Sequence, residues 1–300
     1  MSTLSPASPV SDSEITTASP IAYSEPLGRR HFWLRRLHSL LGLLFGGYVV
    51  VHLLVNATGL WPRAYQQNVD KIHSLQPMLP LIEIATIFIP LLFHAIYGAY
   101  IASVGLKFNT TKYNYGGNVR YFLQRITAWV LLAFIAFHIA TLHKWGFEAI
   151  YNMTHIDFFH RWGGMFNEHN QAFQSTVHGI RGFFNTENAM NPGNVLVMAF
   201  YLAGVWSACF HFANGLWTSA IAWGLTVTAR SQKRWGDACL GFGVVVTLIG
   251  TMAWVAFTVA PAARGDVSRW DNYTRTTHEI QVDGQSIDVK GEPSNESTQP

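Results

Sequence analysis

Five long runs with almost no charge constrain this 300-residue chain more than any other feature. Each is long enough to cross a bilayer as a helix, which takes about 20 apolar residues. Continuous apolar runs fit helices and not the alternating strands of a barrel. We therefore predict an all-α integral membrane protein built as a five-helix bundle. The spans are predicted at residues 37–61, 80–106, 122–143, 195–227 and 238–260.

The composition excludes several other classes of protein. Apolar residues make up 49% of the chain and charged residues only 12%, about half the charged share of a soluble protein. The formal net charge of +3 is too small to indicate a nucleic-acid partner. The two cysteines, Cys209 and Cys239, both lie in apolar runs. This excludes a disulfide framework, a CxxC metal site and the attachment motif of a c-type haem.

The remaining segments are polar. We predict a disordered tail over residues 1–28, a five-span domain over residues 29–262 and a polar tail over residues 263–300. Within that domain, residues 144–194 are too long for a tight connection and should form structure outside the lipid.

Lysines and arginines set the predicted orientation. They are dense at the start of the first span and in the short loops after the second and fourth spans. Short loops that are rich in lysine and arginine usually lie on the cytoplasmic side of the membrane. We expect a multi-pass protein of the cytoplasmic membrane with a cytoplasmic N-terminus, and the 144–194 insertion outside. The basic residues are Arg29, Arg30, Arg35, Arg36, Lys107, Lys112, Arg120, Arg125, Arg230, Lys233 and Arg234.

Four of the five spans contain one well-embedded histidine: His52, His94, His138 and His211. A single buried histidine is most simply a structural hydrogen bonder, but four of them, one per helix, favour a site. His52 and His138 lie within about six residues of the outer helix ends. His94 and His211 lie 14 and 18 residues from theirs. The difference of about 10 residues corresponds to about 15 Å, so we expect two pairs at two depths.

Pairs of imidazoles at two depths suit haem better than zinc or copper. Zinc and copper favour three or four protein ligands at one level, whereas haem iron needs one ligand from each side of the porphyrin. Gly98, Ala213 and Gly215 are expected to make room for the macrocycles. Two axial imidazoles leave iron no open position, so the predicted function is electron transfer.

Several stretches of the chain together form a recognisable pattern. They are RRLHSLLG (Arg35–Gly42), HLLVN (His52–Asn56), the apolar run Ile82–Ala102, LQRITAW (Leu123–Trp129) and HFANGLWTSAIAWGLTVTARSQK (His211–Lys233). In these stretches the chain resembles the diheme cytochrome b membrane anchor of succinate:quinone oxidoreductases, in the single-polypeptide, five-helix form that also serves some fumarate reductases.

The resemblance implies a function and a set of cofactors. It implies two haem b groups, a distal one held by His52 and His138 and a proximal one held by His94 and His211. It also implies a flavoprotein and an iron–sulfur subunit on the cytoplasmic face, and electron exchange with a membrane quinone, menaquinone, near the distal haem. The chain itself has no nucleotide-binding glycine motif and no cluster cysteines, so we expect no dicarboxylate chemistry in it.

Five further residues are weaker candidates. Glu83 is the only carboxylate inside a span, and we expect it either to transfer protons with quinone or to form a local hydrogen bond at the interface. Arg36, His38, Ser39 and Arg125 lie toward the inner face and are candidates for binding haem propionates. The arginines equally satisfy the preference for positive residues inside.

Two outer regions contain further candidates. The first outer loop is expected to be solvated, with approach to quinone as the alternative for Tyr65, Gln67 and His73. The 144–194 insertion is expected to form a cap over the outer haem, and a metal site is the less favoured interpretation of its histidines. These are His155, His160, His169 and His178.

Two alternative functions stay open at this point. One is the cytochrome b of a membrane hydrogenase or formate dehydrogenase, against which the HFANGLW segment argues. The other is a transporter that uses its intramembrane histidines for protons or metal. Haem absorbance in the purified protein distinguishes the transporter from both cytochromes.

Overall fold

The structure is a computed structural model that describes residues 25–104, 116–169, 171–184 and 187–264. Most of the two predicted tails, together with Lys107 and Lys112, lies outside the described residues. Every regular element within these ranges is helical. In chain order the helices are α1 (Glu25–Ala57), α2 (Pro62–His73), α3 (Leu79–Val104), α4 (Gly116–Leu142), α5 (Phe147–Thr154), α6 (Asp157–Trp162), α7 (Ala172–Arg181), α8 (Pro192–Ala222) and α9 (Ala229–Thr258).

Five of these helices, α1, α3, α4, α8 and α9, are long and apolar enough to cross a membrane. The surfaces that these helices turn away from the bundle expose large aliphatic side chains. For example, Leu92 and Ile96 are each 63% exposed, and Leu248 is 61% exposed. Exposure of this kind suits lipid and not water. The all-α, five-helix membrane bundle predicted from the sequence is confirmed.

Four of the spanning helices form a square in cross-section. Among the described residues, α1 packs against α3 and α8, and α4 packs against the same two helices. The diagonal pairs, α1 with α4 and α3 with α8, are not among the helix pairs in extensive backbone contact within the described ranges. The fifth helix, α9, packs outside the square against α8 and α1. Side chains on diagonal helices therefore meet across the centre of the bundle.

Two irregularities follow from local sequence. In α3, a π-helical segment covers Ile84–Phe88 and ends two residues before Pro90, which has no N–H to donate to the carbonyl of the preceding turn. The predicted fourth span continues to residue 227, but α8 ends at Ala222. Gly224 adopts a positive φ of 74°, which a residue without Cβ tolerates. Thr228 then caps α9 through a reciprocal pair of hydrogen bonds with Ser231.

The outer ends of the bundle carry a packed cap. Helices α2 and α7 contact each other, and α7 also packs on α8 and α9. Gln66 is buried and holds the two parts of the cap together: its Nε2 donates to the Glu168 carbonyl (2.8 Å), and its Oε1 accepts from the Ala172 N–H (3.0 Å). Arg181 donates to the carbonyl of Thr258 near the end of α9.

Candidate functional site

The outer pair of histidines consists of His52 on α1 and His138 on α4, which are diagonal helices. Their ring centroids are 5.9 Å apart, with an angle of 89° between the planes. Tyr48 lies one turn before His52, and its hydroxyl oxygen is 3.4 Å from His52 Nδ1. On the other side, the rings of Phe134 and Tyr201 lie 5.7 and 5.9 Å from the His138 ring. The pair is thus enclosed by aromatic side chains.

The inner pair consists of His94 on α3 and His211 on α8, the other diagonal. Their ring centroids are 6.1 Å apart, with an interplanar angle of 87°. His38 stacks on the His94 ring at 4.0 Å, nearly parallel at 7°. Gln124 of α4 donates to the His211 carbonyl (3.2 Å) and accepts from Asn214 (2.8 Å), which ties α4 to α8 at this level.

The two pairs lie at different depths. Gly42 on α1 is next to the His94 ring and precedes His52 by ten residues. Thr127 on α4 is next to His211 and precedes His138 by 11 residues. At a rise of about 1.5 Å per residue, both helices separate the two pairs by about 15 Å or slightly more. This agrees with the separation predicted from the sequence.

The spacing within each pair fits two ligands on one iron. Two imidazoles on opposite sides of a metal ion, each with a nitrogen about 2 Å from it, have ring centroids about 6.3 Å apart. Both observed separations are close to this value. No group of three or more His, Cys, Asp or Glu that could hold a metal ion occurs in the described residues, so each pair supplies a two-ligand donor set, which is the set that haem iron takes from protein.

The hydrogen bonds of the rings fit the same role. His52, His94 and His211 each have a polar partner at Nδ1: Tyr48 O–H at 3.4 Å, the His38 carbonyl at 3.0 Å and Thr127 O–H at 3.4 Å. Metal-binding histidines usually use one ring nitrogen in this way and leave the other for the metal. In these three rings this leaves Nε2 as the nitrogen that could bind a metal.

Glycines make room for the rings. A Cβ on Gly42 would collide with the His94 ring, and a Cβ on Gly204 would collide with Phe134, beside His138. A Cβ on Gly98 would lie 3.0 Å from His38. We expected Ala213 to make room for a macrocycle, but it faces α9. A Cβ added to Gly243 of α9 would lie 2.9 Å from the Cβ of Ala213.

The propionate candidates fall into three places. Arg36 lies over the ring of Trp223 at 5.1 Å, and Ser39 accepts a hydrogen bond from the Trp223 indole N–H at 3.2 Å. Arg125 lies over the Tyr121 ring at 4.0 Å. His38 alone among the four candidates touches a histidine of a pair. The structure thus places Arg36 and Ser39 together at the end of α8 and Arg125 apart from them.

Glu83 lies at the outer end of α3, directly before the π-helical segment. Its carboxylate is within electrostatic range of Tyr48 and His143. The pKa of His143 is lowered because the ring is partly desolvated, although Glu83 and Glu168 oppose this effect. Phe88 stacks on Trp145 at 5.0 Å beside His143. An acidic and an imidazole group therefore lie within electrostatic range of each other near the outer pair.

The other outer candidates lie in the cap. The first outer loop is not a solvated loop but contains α2, where Tyr65 is buried and its hydroxyl lies 3.2 Å from Thr176 Oγ1. Burial raises the pKa of Tyr65 to about 12. Gln67 is exposed and His73 is half-buried.

The four insertion histidines do not converge in the described residues. His155 and His160 flank the Tyr151 ring at 5.8 and 4.6 Å, His169 is exposed beside Glu168, and His178 lies on α7. Trp162 stacks on Phe183 at 4.8 Å. This arrangement corresponds to a packed cap, the favoured interpretation of the insertion.

Sequence reasoning did not identify Tyr48, Thr127, Gln124 or Asn214. Tyr48 could have been found, because it precedes His52 by one helical turn on the same face. Thr127 belongs to a different helix from the ring that it contacts, so spacing along the chain could not reveal it.

Comparisons with known proteins bear on the identity of the chain. No family model matches it. It is 34% identical over 235 residues to the succinate dehydrogenase cytochrome b558 subunit of Bacillus subtilis (strain 168). The matched region covers 77% of this chain and 98% of that relative. The similarity therefore extends over nearly the whole relative, and with it the chain belongs to the family of succinate dehydrogenase cytochrome b subunits.

Proposed function

We propose that this multi-pass membrane protein is the diheme anchor of a succinate dehydrogenase and passes electrons between an iron–sulfur subunit and a membrane quinone. A cytochrome b binds haem b, and the family assignment makes the chain a subunit of that enzyme complex. Two haems per chain, the ligands and the quinone site belong to our proposal. The observation that supports it most directly is that four histidines form two pairs at two depths, each pair joining diagonal helices.

In this proposal His94 and His211 hold the inner haem, and His52 and His138 hold the outer one. Bound haem would supply reversible one-electron transfer. The protein would fix ring orientation through the Nδ1 partners, exclude water with the surrounding aromatic side chains, and leave iron no position for another ligand. His38 is the best supported of the propionate candidates, because it alone contacts an axial ring.

The orientation of the chain decides which histidine pair faces the soluble subunits. We place the N-terminus and the basic loops in the cytoplasm, where the flavoprotein and iron–sulfur subunits would dock. The inner pair then faces these subunits, and the outer pair faces the cap. A charge that crosses the bilayer exchanges about 2.3 kcal/mol per 100 mV with the membrane potential, which couples the reaction to that potential.

We place the quinone site at the outer end of α3, beside Glu83. This carboxylate lies within electrostatic range of Tyr48, the neighbour of His52, and of His143. A carboxylate near the outer pair can exchange the protons that accompany quinone chemistry. Menaquinone is the substrate that the family resemblance implies.

The first test is haem stoichiometry. Purified complex should contain two low-spin haem b groups per copy of this chain, both reduced by succinate. One haem per chain, or none, would contradict the proposal, and a colourless chain would favour the transporter.

The second test is the Glu83→Gln variant. We expect both haems to be reduced by succinate as in the wild type, while quinone reduction falls about 100-fold, within the range for loss of a proton-transferring group. Glu168→Gln, in the cap, is the matched control and should retain activity. Unchanged quinone reduction in the Glu83 variant would remove Glu83 from the site.

A further inference from the structure

We infer that Tyr48 and Thr127 are positioning residues, one for each histidine pair, that fix the tautomer and orientation of an axial imidazole. The inference rests on the proposed function, in which these histidines bind haem iron. It adds two side chains that contact neither iron nor substrate. Each lies beside a different pair, so each should affect only one of the two haems.

At the inner pair, the hydroxyl of Thr127 is already committed as a donor. Its Oγ1 donates to the carbonyl of Leu123 on its own helix at 2.8 Å. The carbonyl of Gln124 is a second acceptor at 3.2 Å. A hydroxyl has one proton and two lone pairs, so with that proton on a helix carbonyl the hydroxyl accepts from His211 Nδ1 at 3.4 Å. His211 then carries its proton on Nδ1, which leaves the Nε2 lone pair for iron.

At the outer pair, the corresponding group is Tyr48. Its hydroxyl lies 3.4 Å from His52 Nδ1, and the two rings are 5.6 Å apart. If His52 donates from Nδ1, the phenol proton is left to interact elsewhere. The carboxylate of Glu83 is the acidic group within electrostatic range of this hydroxyl. Tyr48 therefore contacts an axial ring and lies within electrostatic range of the carboxylate at the proposed quinone site.

The two pairs do not have equal support. The second inner ring, His94, donates from Nδ1 to the backbone carbonyl of His38 at 3.0 Å, a contact that no side-chain substitution removes. The second outer ring, His138, has a buried Nδ1 without a hydrogen-bond partner among the described residues. Within the described part of the chain, Tyr48 is thus the only hydrogen-bond partner at Nδ1 of the two outer rings. At the inner pair, both rings have such a partner, and Thr127 is one of the two.

The test uses the purified complex with Tyr48→Phe or Thr127→Val. Losing an acceptor at Nδ1–H makes the imidazole a weaker ligand for oxidised iron, so the midpoint potential of the affected haem should rise. A tenfold change in the equilibrium constant for reduction of the haem corresponds to about 59 mV for a one-electron couple. We expect Tyr48→Phe to shift the outer haem by about this amount, and Thr127→Val to shift the inner haem by less. Redox titration and the electron paramagnetic resonance signal of each haem report these changes separately.

Three matched variants make the test decisive. Tyr100→Phe, on an exposed ring of α3, and Thr247→Val, whose hydroxyl donates to Gly243 and bonds Cys209 but neither histidine pair, should leave both haems unchanged. Thr127→Ser keeps the hydroxyl and should restore the wild-type inner signal. If Thr127→Val prevents assembly, Thr127→Ser and Thr127→Ala decide, since only the former should retain the wild-type inner potential.

Two results would overturn the inference. One is wild-type signals from both haems in Tyr48→Phe and Thr127→Val, and the other is a shift of the wrong haem or of both together. Failure of the proposed function itself is a separate result, because it would show as fewer than two haems in the wild-type complex.

Discussion

The inner and outer halves of the bundle hold their histidine pairs in different ways. The inner pair is built from close contacts between spanning helices: His38 stacks on His94, Gly42 accommodates the same ring, and Gln124 links α4 to α8. The outer pair lies beside Phe134 and Tyr201, which belong to a hydrophobic core shared with the cap. The inner half therefore depends on the spanning helices alone, whereas the outer half also depends on the cap.

Replacing one histidine should have the largest effect and tests whether the two halves are separable. His138→Leu should remove the outer haem and leave the inner one. The outer haem iron would lose one of its two axial imidazoles and would be held from one side only. Haem analysis should fall from two to one per chain. His169→Gln, an exposed cap residue, should keep both haems. Loss of the inner haem alone in His138→Leu would show that the pairing is wrong.

The next largest effect concerns the glycine contact in the inner half. Gly42→Val should expel the inner haem and destabilise the bundle by about 1–3 kcal/mol, because its side chain would occupy the space of the His94 ring. Gly47 lies five residues along the same helix, where an added Cβ would meet no neighbouring side chain within 4 Å. Gly47→Val should therefore have no effect on haem content. Equal haem loss in both variants would show that α1 tolerates no larger side chain at all.

A cap substitution should act on the outer half only. Gln66→Ala leaves the Ala172 N–H and the Glu168 carbonyl without their partner, which costs about 1–3 kcal/mol for buried polar groups. We expect faster loss of the outer haem on heating, with the inner haem retained to the wild-type temperature. The neighbouring exposed residue, Gln67→Ala, is the control. Parallel loss of both haems would mean that the cap stabilises the whole bundle.

The smallest expected effect is on pH dependence. Because burial lowers the pKa of His143 below its ordinary value of 6.5, the folded protein binds a proton less readily there than the unfolded chain does. Stability from this group is complete above about pH 6.5 and is lost as the pH falls toward the lowered pKa. His143→Asn should reduce the loss of thermal stability between pH 7 and pH 5. An unchanged pH profile would show that His143 does not contribute to it.

The sequence was sufficient for the architecture and for the pairs of histidines. Long uncharged runs leave few choices in lipid, because backbone groups must be satisfied within each helix. The depth of a histidine follows from counting residues along a helix of fixed rise, so His52 could be grouped with His138, and His94 with His211, before their contacts were known. Tyr48 was also within reach, since it lies one turn from His52.

Only the tertiary structure decided the neighbours of each ring. Thr127 contacts His211 from another helix, Ala213 faces α9 and not the centre of the bundle, and α2 is a packed part of the cap and not a solvated loop. The rotation of each helix and the partner of each face depend on the simultaneous packing of all five spans. An apolar side chain can face either lipid or another helix, so its apolarity does not show which of the two it faces. Hydropathy fixes where a span lies along the chain, but it carries little information about which way the span turns.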